Sequence, residues 1–188
     1  MIKLAIFASG AGSNAAKIIE HFKNNPTVVI DLIVCNKKEA GVWGIAAANQ
    51  IDTLYINRES FIESDACVKQ LQARSIDFIV LAGFLWKVPE SLINAYPGKI
   101  INIHPALLPK YGGKGMYGMH VHEAVIAAGE KESGITIHYV DAHYDEGDII
   151  FQAKCTIEPN ETPASLAAKI HVLEHAHFPV VIEKLLSI

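Results

Sequence analysis

The chain has 188 residues, of which 51% are hydrophobic and 19% charged, with a formal net charge of -4. That length buries about 70% of the surface an unfolded chain would expose, enough for one domain over 1–188 without disulfide or metal staples. The weakly acidic balance offers no basic face to nucleic acid or anionic lipid, so neither is expected as a partner.

The three cysteines, Cys35, Cys67 and Cys155, form no CxxC pair and suggest a reducing, cytoplasmic setting. No leader is expected, because Leu4 to Ala8 is too short an apolar run for one. The longest apolar stretch, "FIVLAGFLW", is half of what a membrane span needs.

In chain order, Ile2 to Ala8 reads as a strand, and Asn14 to Phe22 as a helix with apolar spacing at Ala15, Ile18, Ile19 and Phe22. Val28 to Asn36 is a second strand, Gly44 to Gln50 an alanine-rich helix and Thr53 to Ile56 a third strand. A helix is expected from about Ser60 to Arg74. Asp77 to Ala82 and Lys99 to His104 are further strands, separated by a helix from Pro89 to Ala95. The segment 105–120 carries four glycines and two prolines in sixteen residues, too many for a regular element. A helix follows from Val121 to Ala128. Then come two strands, "GITIHYV" and "DIIFQAKCTI", with a short turn between them that points to antiparallel pairing. The last helix spans Pro163 to Leu186 behind a Thr162 cap. This alternation predicts a Rossmann-like α/β fold: a mostly parallel twisted sheet, helices on both faces, and an antiparallel C-terminal strand pair. Ligands of such sheets sit beyond the carboxyl ends of the strands.

The first strand runs into Gly10-Ala11-Gly12-Ser13-Asn14-Ala15, which fits G-x-G-x-x-[GA]. Glycines let the backbone approach an anion held by the helix amides at Ser13 and Asn14. A dinucleotide site also wants a carboxylate at the end of the second strand. That strand instead ends Cys35-Asn36-Lys37-Lys38, and Asp31 lies too early. NAD is disfavoured and NADP survives only through the lysines. A phosphate monoester is the preferred occupant; a dinucleotide and a purely structural turn remain as alternatives.

In "INIHPALLP", Asn102 and His104 stand two apart on a strand and so face the same way. A polar pair on an otherwise apolar strand is either a satisfied core amide beside a structural histidine or a reactive pair. The turn "DAHYDEGD" brings Asp141, Asp145, Glu146 and Asp148 between the last two strands, with Asp145 in a tight loop that can reach the histidine. An amide, an imidazole and a carboxylate suit acyl transfer without a covalent enzyme intermediate. No G-x-S-x-G elbow competes for the nucleophile role.

With "FASGAGSN", "VLAGF", "INIHPALLPKYGG", "HYVDAHYDEGDII" and "LEHAHFP" in this order, the chain resembles the phosphoribosylglycinamide formyltransferases, the folate-dependent GAR transformylases of purine biosynthesis. The likeness covers nearly the whole chain. It implies 10-formyltetrahydrofolate as co-substrate, glycinamide ribonucleotide (GAR) as acceptor, and no metal. By motif it implies that Asn102 and His104 hold and polarise the formyl group, with His104 as proton donor and Asp145 raising its pKa. Gly12, Ser13 and Asn14 would bind the ribose phosphate and Glu174 the ribose. Leu85, Trp86, Lys87 and Val88 would line the folate pocket together with Asn102. The family often has Met-Arg after "AGF", where this chain has Leu85-Trp86-Lys87, and the basic residue that the family can place in the preceding helix, towards the folate tail, has no clear counterpart near Ser64. Related formyltransferases act on other acceptors, and the glycine loop favours one with a terminal phosphate. An NADP-dependent reductase and a non-catalytic nucleotide-binding protein are the rival readings.

Other signals carry less. "HVLEH", from His171 to His175, matches an inverted zinc motif, but the resemblance gives Glu174 another role. His120 and His122, beside Glu123, are expected to line the substrate mouth. His138 and His143 read as surface or structural residues, and Trp43, Phe61 and Phe84 as core. The glycines of Lys110 to Met119 suit a loop that closes over substrate.

Overall fold

The computed structural model describes residues 1–186. They form two compact units, Met1–Ile101 and the residues from Asn102 onward. The first unit holds β1 (Ile2–Ala8), α1 (Ser13–Phe22), β2 (Val28–Cys35), α2 (Val42–Ala48) and β3 (Asp52–Tyr55). It continues through a π-helical turn (Glu59–Glu63), α3 (Ala66–Ala73), β4 (Phe78–Leu81), α4 (Glu90–Ala95) and the start of β5 (Ile100–His104). The second unit takes over within β5 and adds α5 (Met119–Ala127), β6 (Glu132–Tyr139), β7 (Ile149–Thr156) and α6 (Pro163–Leu186).

Strand order is β3-β2-β1-β4-β5-β6-β7 in a seven-stranded sheet. β1 pairs in parallel with β2 and with β4, β2 pairs in parallel with β3, and β6 pairs antiparallel with β7. The expected mostly parallel sheet with an antiparallel C-terminal pair is therefore present. β1 is central, so its apolar run is covered on both faces, and Leu4 to Ala8 are wholly buried. α1 buries Ala15, Ile18, Ile19 and Phe22, the stripe its spacing predicts.

Three local expectations change. The helix expected from Ser60 to Arg74 is two pieces. Ser64 between them is extended (φ -147°, ψ 168°), and its hydroxyl donates to the Glu59 carbonyl at 2.9 Å. A serine side chain competing for backbone groups ends one turn and lets α3 restart. The π-helical turn buries Phe61, whose ring lies 5.4 Å from Phe84 and 6.1 Å from both Phe7 and Trp86. α2 begins at Val42 rather than Gly44, because Val42 and Ala46 form its buried stripe. Trp43 is consequently only half-buried, and its indole N–H donates to the Lys37 carbonyl at 2.9 Å. Phe61 and Phe84 are core as expected.

α6 starts as its sequence indicates. Thr162 Oγ1 accepts the Ser165 N–H at 3.1 Å and Ser165 Oγ accepts the Thr162 N–H at 3.0 Å, a reciprocal cap. No helix among the described residues is long and apolar enough to cross a membrane.

Candidate active site

In the first unit, β1 ends at the glycine loop. Gly12 has φ +81° and a Cβ there would lie 2.8 Å from Val42 Cγ2, so both conformation and space demand glycine. The Val42 N–H donates to the Gly10 carbonyl at 3.2 Å, which fixes the loop on α2. The first intrahelical bond of α1 is Ala16 N–H to Gly12 O at 2.9 Å. The amides of Ser13, Asn14 and Ala15 thus lie ahead of the ladder, where an anion is favoured. Ser13 is exposed and the Asn14 side chain buried.

Beside this loop, Ser9 is 2% exposed and ties three strand ends together. Its hydroxyl donates to Asn36 Oδ1 at 2.7 Å, beyond β2, and accepts the Leu85 N–H at 3.0 Å, beyond β4. Asn36 is already engaged where a dinucleotide site would present a free carboxylate, which weighs against the reductase reading. Of the expected folate segment, Leu85 and Lys87 are exposed, Trp86 is half-buried against Phe61 and Phe84, and the Val88 side chain is buried. Val88 has therefore only its backbone to offer a ligand.

The second unit brings Asn102, His104 and Asp145 together. β5 carries Asn102 and His104 on one face, and the β6–β7 turn supplies Asp145, whose Oδ2 lies 3.5 Å from His104 Nδ1. The same oxygen accepts the Gly113 N–H at 2.9 Å. Asp145 adopts φ +57°, a left-handed conformation that aspartate tolerates better than most residues. Gly147 closes the turn, since a Cβ there would lie 1.8 Å from the Tyr139 carbonyl. The Tyr139 N–H to Asp148 O bond of 2.9 Å seals its base. A cavity of about 350 Å³ opens beside Asp145, between Leu108, Pro109, Gly112, Tyr144 and Ile149.

His138 completes the cluster and was not expected there. It is buried, with Nδ1 2.8 Å from the Tyr139 carbonyl and Nε2 3.1 Å from Asn102 Nδ2. A carbonyl only accepts, so Nδ1 carries the hydrogen and Nε2 receives one from the Asn102 amide. The second Asn102 N–H is thereby oriented and left for a ligand oxygen. The sequence signal was Thr136-x-His138, a polar pair at strand period in an apolar run, as in Asn102-x-His104.

Thr136, fully buried, secures the segment after His104. Its hydroxyl donates to Ala106 O at 2.7 Å and accepts from Leu108 N at 3.0 Å and Gln152 Nε2 at 2.8 Å.

Electrostatics follow from this burial. Burial pulls the His104 pKa down; Asp145 pulls it up, as expected, but does not prevail, and the net is below the ordinary 6.5. Burial pushes the Asp145 carboxyl up, but the nearby His138 imidazole, whose Nε2 lies 3.6 Å from Oδ1, the His104 charge and the Gly113 N–H together hold it below its usual value. Free of ligand, the pair is a neutral imidazole beside a carboxylate.

Glu174 is buried on α6, with His171 Nδ1 2.9 Å from its Oε2. That hydrogen bond raises the His171 pKa. His171 and His175 stack with ring centroids 6.1 Å apart, and no set of three or more His, Cys, Asp or Glu among the described residues is arranged to hold a metal ion. His120 is exposed beside Glu123 at 3.4 Å, His143 is exposed, and His122 is buried.

The described residues thus combine an α/β sheet, a glycine loop after β1, and an amide, an imidazole and a carboxylate gathered around β5. The chain belongs to the formyl transferase family, whose model matches residues 2–182. It is 42% identical over 181 residues to the chloroplastic phosphoribosylglycinamide formyltransferase of Arabidopsis thaliana, covering 92% of this chain and 61% of that one. It is 38% identical over 195 residues to the phosphoribosylglycinamide formyltransferase of Bacillus subtilis, covering 100% of this chain and 96% of the relative. The chain thus spans about 61% of the length of the Arabidopsis relative and nearly all of the bacterial one. The crystal structure of glycinamide ribonucleotide transformylase 1 from Geobacillus kaustophilus matches with a TM-score of 0.90 at 35% identity, covering 99% of each chain.

Proposed function

We propose that this protein transfers the formyl group of 10-formyltetrahydrofolate to the amine of glycinamide ribonucleotide, giving formyl-GAR and tetrahydrofolate in purine biosynthesis. The observation that carries this reading is the buried cluster in which Asn102, His104 and Asp145 meet. Its support is the set of relatives named for this reaction. The family model running from residue 2 to 182 supports treating 1–188 as one formyltransferase domain.

In this reading the amine nitrogen attacks the formyl carbon, a C–N bond forms, and the carbonyl oxygen becomes an oxyanion. The free Asn102 N–H stabilises that oxygen. Attack makes the amine acidic. His104, neutral beforehand, gains the proton at Nδ1 while the Asp145 carboxylate balances the imidazolium. His104 then donates this proton to N10 of the folate as the C–N10 bond breaks. Gly12, Ser13 and Asn14 hold the acceptor's phosphate at the N-terminus of α1, and Glu174 its ribose hydroxyls. Leu85, Trp86, Lys87 and Val88 face the folate. Cavity size beside Asp145 is in the usual range for small-molecule sites. The free thiols suit the reducing conditions of the cytoplasm.

The test is folate absorbance during formyl transfer to GAR, wild type beside Asn102→Ala. Turnover in the wild type and a loss of about 10²-fold or more in the variant would support the reading. An active wild type with an unaffected variant would remove Asn102 from the chemistry. An inactive wild type would remove the reaction.

A further inference from the structure

Four residues other than glycine have a left-handed backbone among the described residues, and two of them, Tyr111 and Asp145, contact the two ring nitrogens of His104. An aspartate tolerates that conformation; a bulky aromatic rarely does, so something outside must hold Tyr111 at φ +56°. The holder is Glu130, in the turn between α5 and β6. Its Oε1 accepts the Tyr111 hydroxyl at 2.9 Å and the Lys110 ammonium at 2.9 Å. Those two hydrogen bonds, Lys110's first, lower the Glu130 carboxyl and keep it an ionised acceptor. Burial and the Glu130 bond raise the Tyr111 phenol, which stays a neutral donor.

Holding the ring fixes the backbone behind it. The Tyr111 carbonyl lies 2.7 Å from His104 Nε2. Because a carbonyl has no hydrogen to give, Nε2 must carry one, and Nδ1 is left to exchange its proton. Nδ1 is the nitrogen that faces Asp145. Two residues further on, Gly113 donates to Asp145, so the short stretch 110–113 touches both members of the pair. His138 and Glu174 are the other titratable groups that act on His104.

We propose that Glu130 is a positioning residue: through Lys110 and Tyr111 it seats the Tyr111 carbonyl on His104 Nε2 and so selects Nδ1 as the nitrogen that carries the proton. The tautomer half of this proposal stands on the contacts alone; its consequence for rate rests on the formyl-transfer reading. Nothing in the sequence pattern marks Glu130, which lies twenty residues from Lys110.

The experiment compares wild type with Glu130→Ala, Glu130→Gln and Tyr111→Phe. It uses ¹⁵N-histidine NMR of the free protein and steady-state formyl transfer. The neutral His104 of the wild type is expected as the Nε2–H tautomer. In Glu130→Ala and Tyr111→Phe the tautomers should mix, kcat should fall about 10-fold or more, and KM for GAR should move less than about twofold. Glu130→Gln still offers an oxygen to the Tyr111 hydroxyl and should keep the wild-type tautomer and most of kcat. Should Glu130→Ala fail to fold, Tyr111→Phe decides. An unchanged His104 tautomer in the folded variants, or a change confined to KM, overturns the proposal. An inactive wild type with the expected tautomer shift would instead discard the reaction and leave Glu130's hold on His104 intact.

Discussion

Replacing Thr136 by valine tests how the segment after His104 is held. The two side chains are close in shape, but the hydroxyl has three partners in a fully buried position. Gln152 keeps a second acceptor, the Leu108 carbonyl at 3.1 Å, and loses little. The Leu108 N–H loses its acceptor and the Ala106 carbonyl its donor. A buried polar group left without a partner costs about 1–3 kcal/mol, so two cost about 2–6 kcal/mol. The added methyl group returns roughly 0.8 kcal/mol. The net expectation is a loss of about 1–5 kcal/mol, which for a chain of this size lowers Tm by roughly 2–20 °C. Urea unfolding of Thr136→Val beside Thr136→Ser measures it. Serine keeps the hydroxyl and should lose only about 1 kcal/mol, the transfer value of its missing methyl group. A valine variant within about 0.5 kcal/mol of wild type, or a serine variant as unstable as the valine one, would refute the reasoning.

Three further outcomes are expected. Ser9→Ala removes the strap between the ends of β1, β2 and the Leu85 segment, so KM should rise for both substrates while kcat falls less; unaltered KM values would show that the loops hold their own shape. Hydrogen bonds from Lys169 and Ser165 bring the Glu161 carboxyl to about 2 from an ordinary 4.5. Its pKa is depressed on folding, so this group's stabilisation is complete above 4.5 and is lost as pH falls towards 2. The stability gap between wild type and Glu161→Gln should accordingly narrow over that window in urea unfolding, and a constant gap would count against the ion pair. Free His104 should titrate below 6.5 by NMR and lower still in Asp145→Asn; because the fold favours the neutral ring, its contribution to stability declines as pH drops below 6.5.

Sequence alone revealed most of the fold because its strands are apolar on both faces and its helices carry narrow stripes. β1 and α6 were legible nearly to the residue. The break at Ser64 was not, since a hydroxyl bonding back to Glu59 leaves no mark on periodicity. Asn102 and His104 stood out as polar residues in an apolar strand. His138 has the same signature in β6, but a histidine is a common satisfied core residue, and only its contact with Asn102 separates the two meanings. Ser9, Thr136 and Glu130 were invisible for one shared reason: each acts on backbone groups or on residues far along the chain, and spacing reports only neighbours.

The β6–β7 turn has a consequence for how this chain tolerates change. Exposed hairpin tips are ordinarily where lengths vary and tags can be inserted. Here the tip is bracketed by the Tyr139–Asp148 bond and by a glycine whose replacement would drive a carbon into a carbonyl. At Gly134 the two strands approach so closely that a Cβ would fall 1.9 Å from Ala153 O, which removes any slack a register slip would need. The excursion carrying Asp145 can therefore vary in the identity of its exposed side chains but not in its length. An inserted reporter belongs elsewhere, in the exposed Lys23–Asn24 turn between α1 and β2.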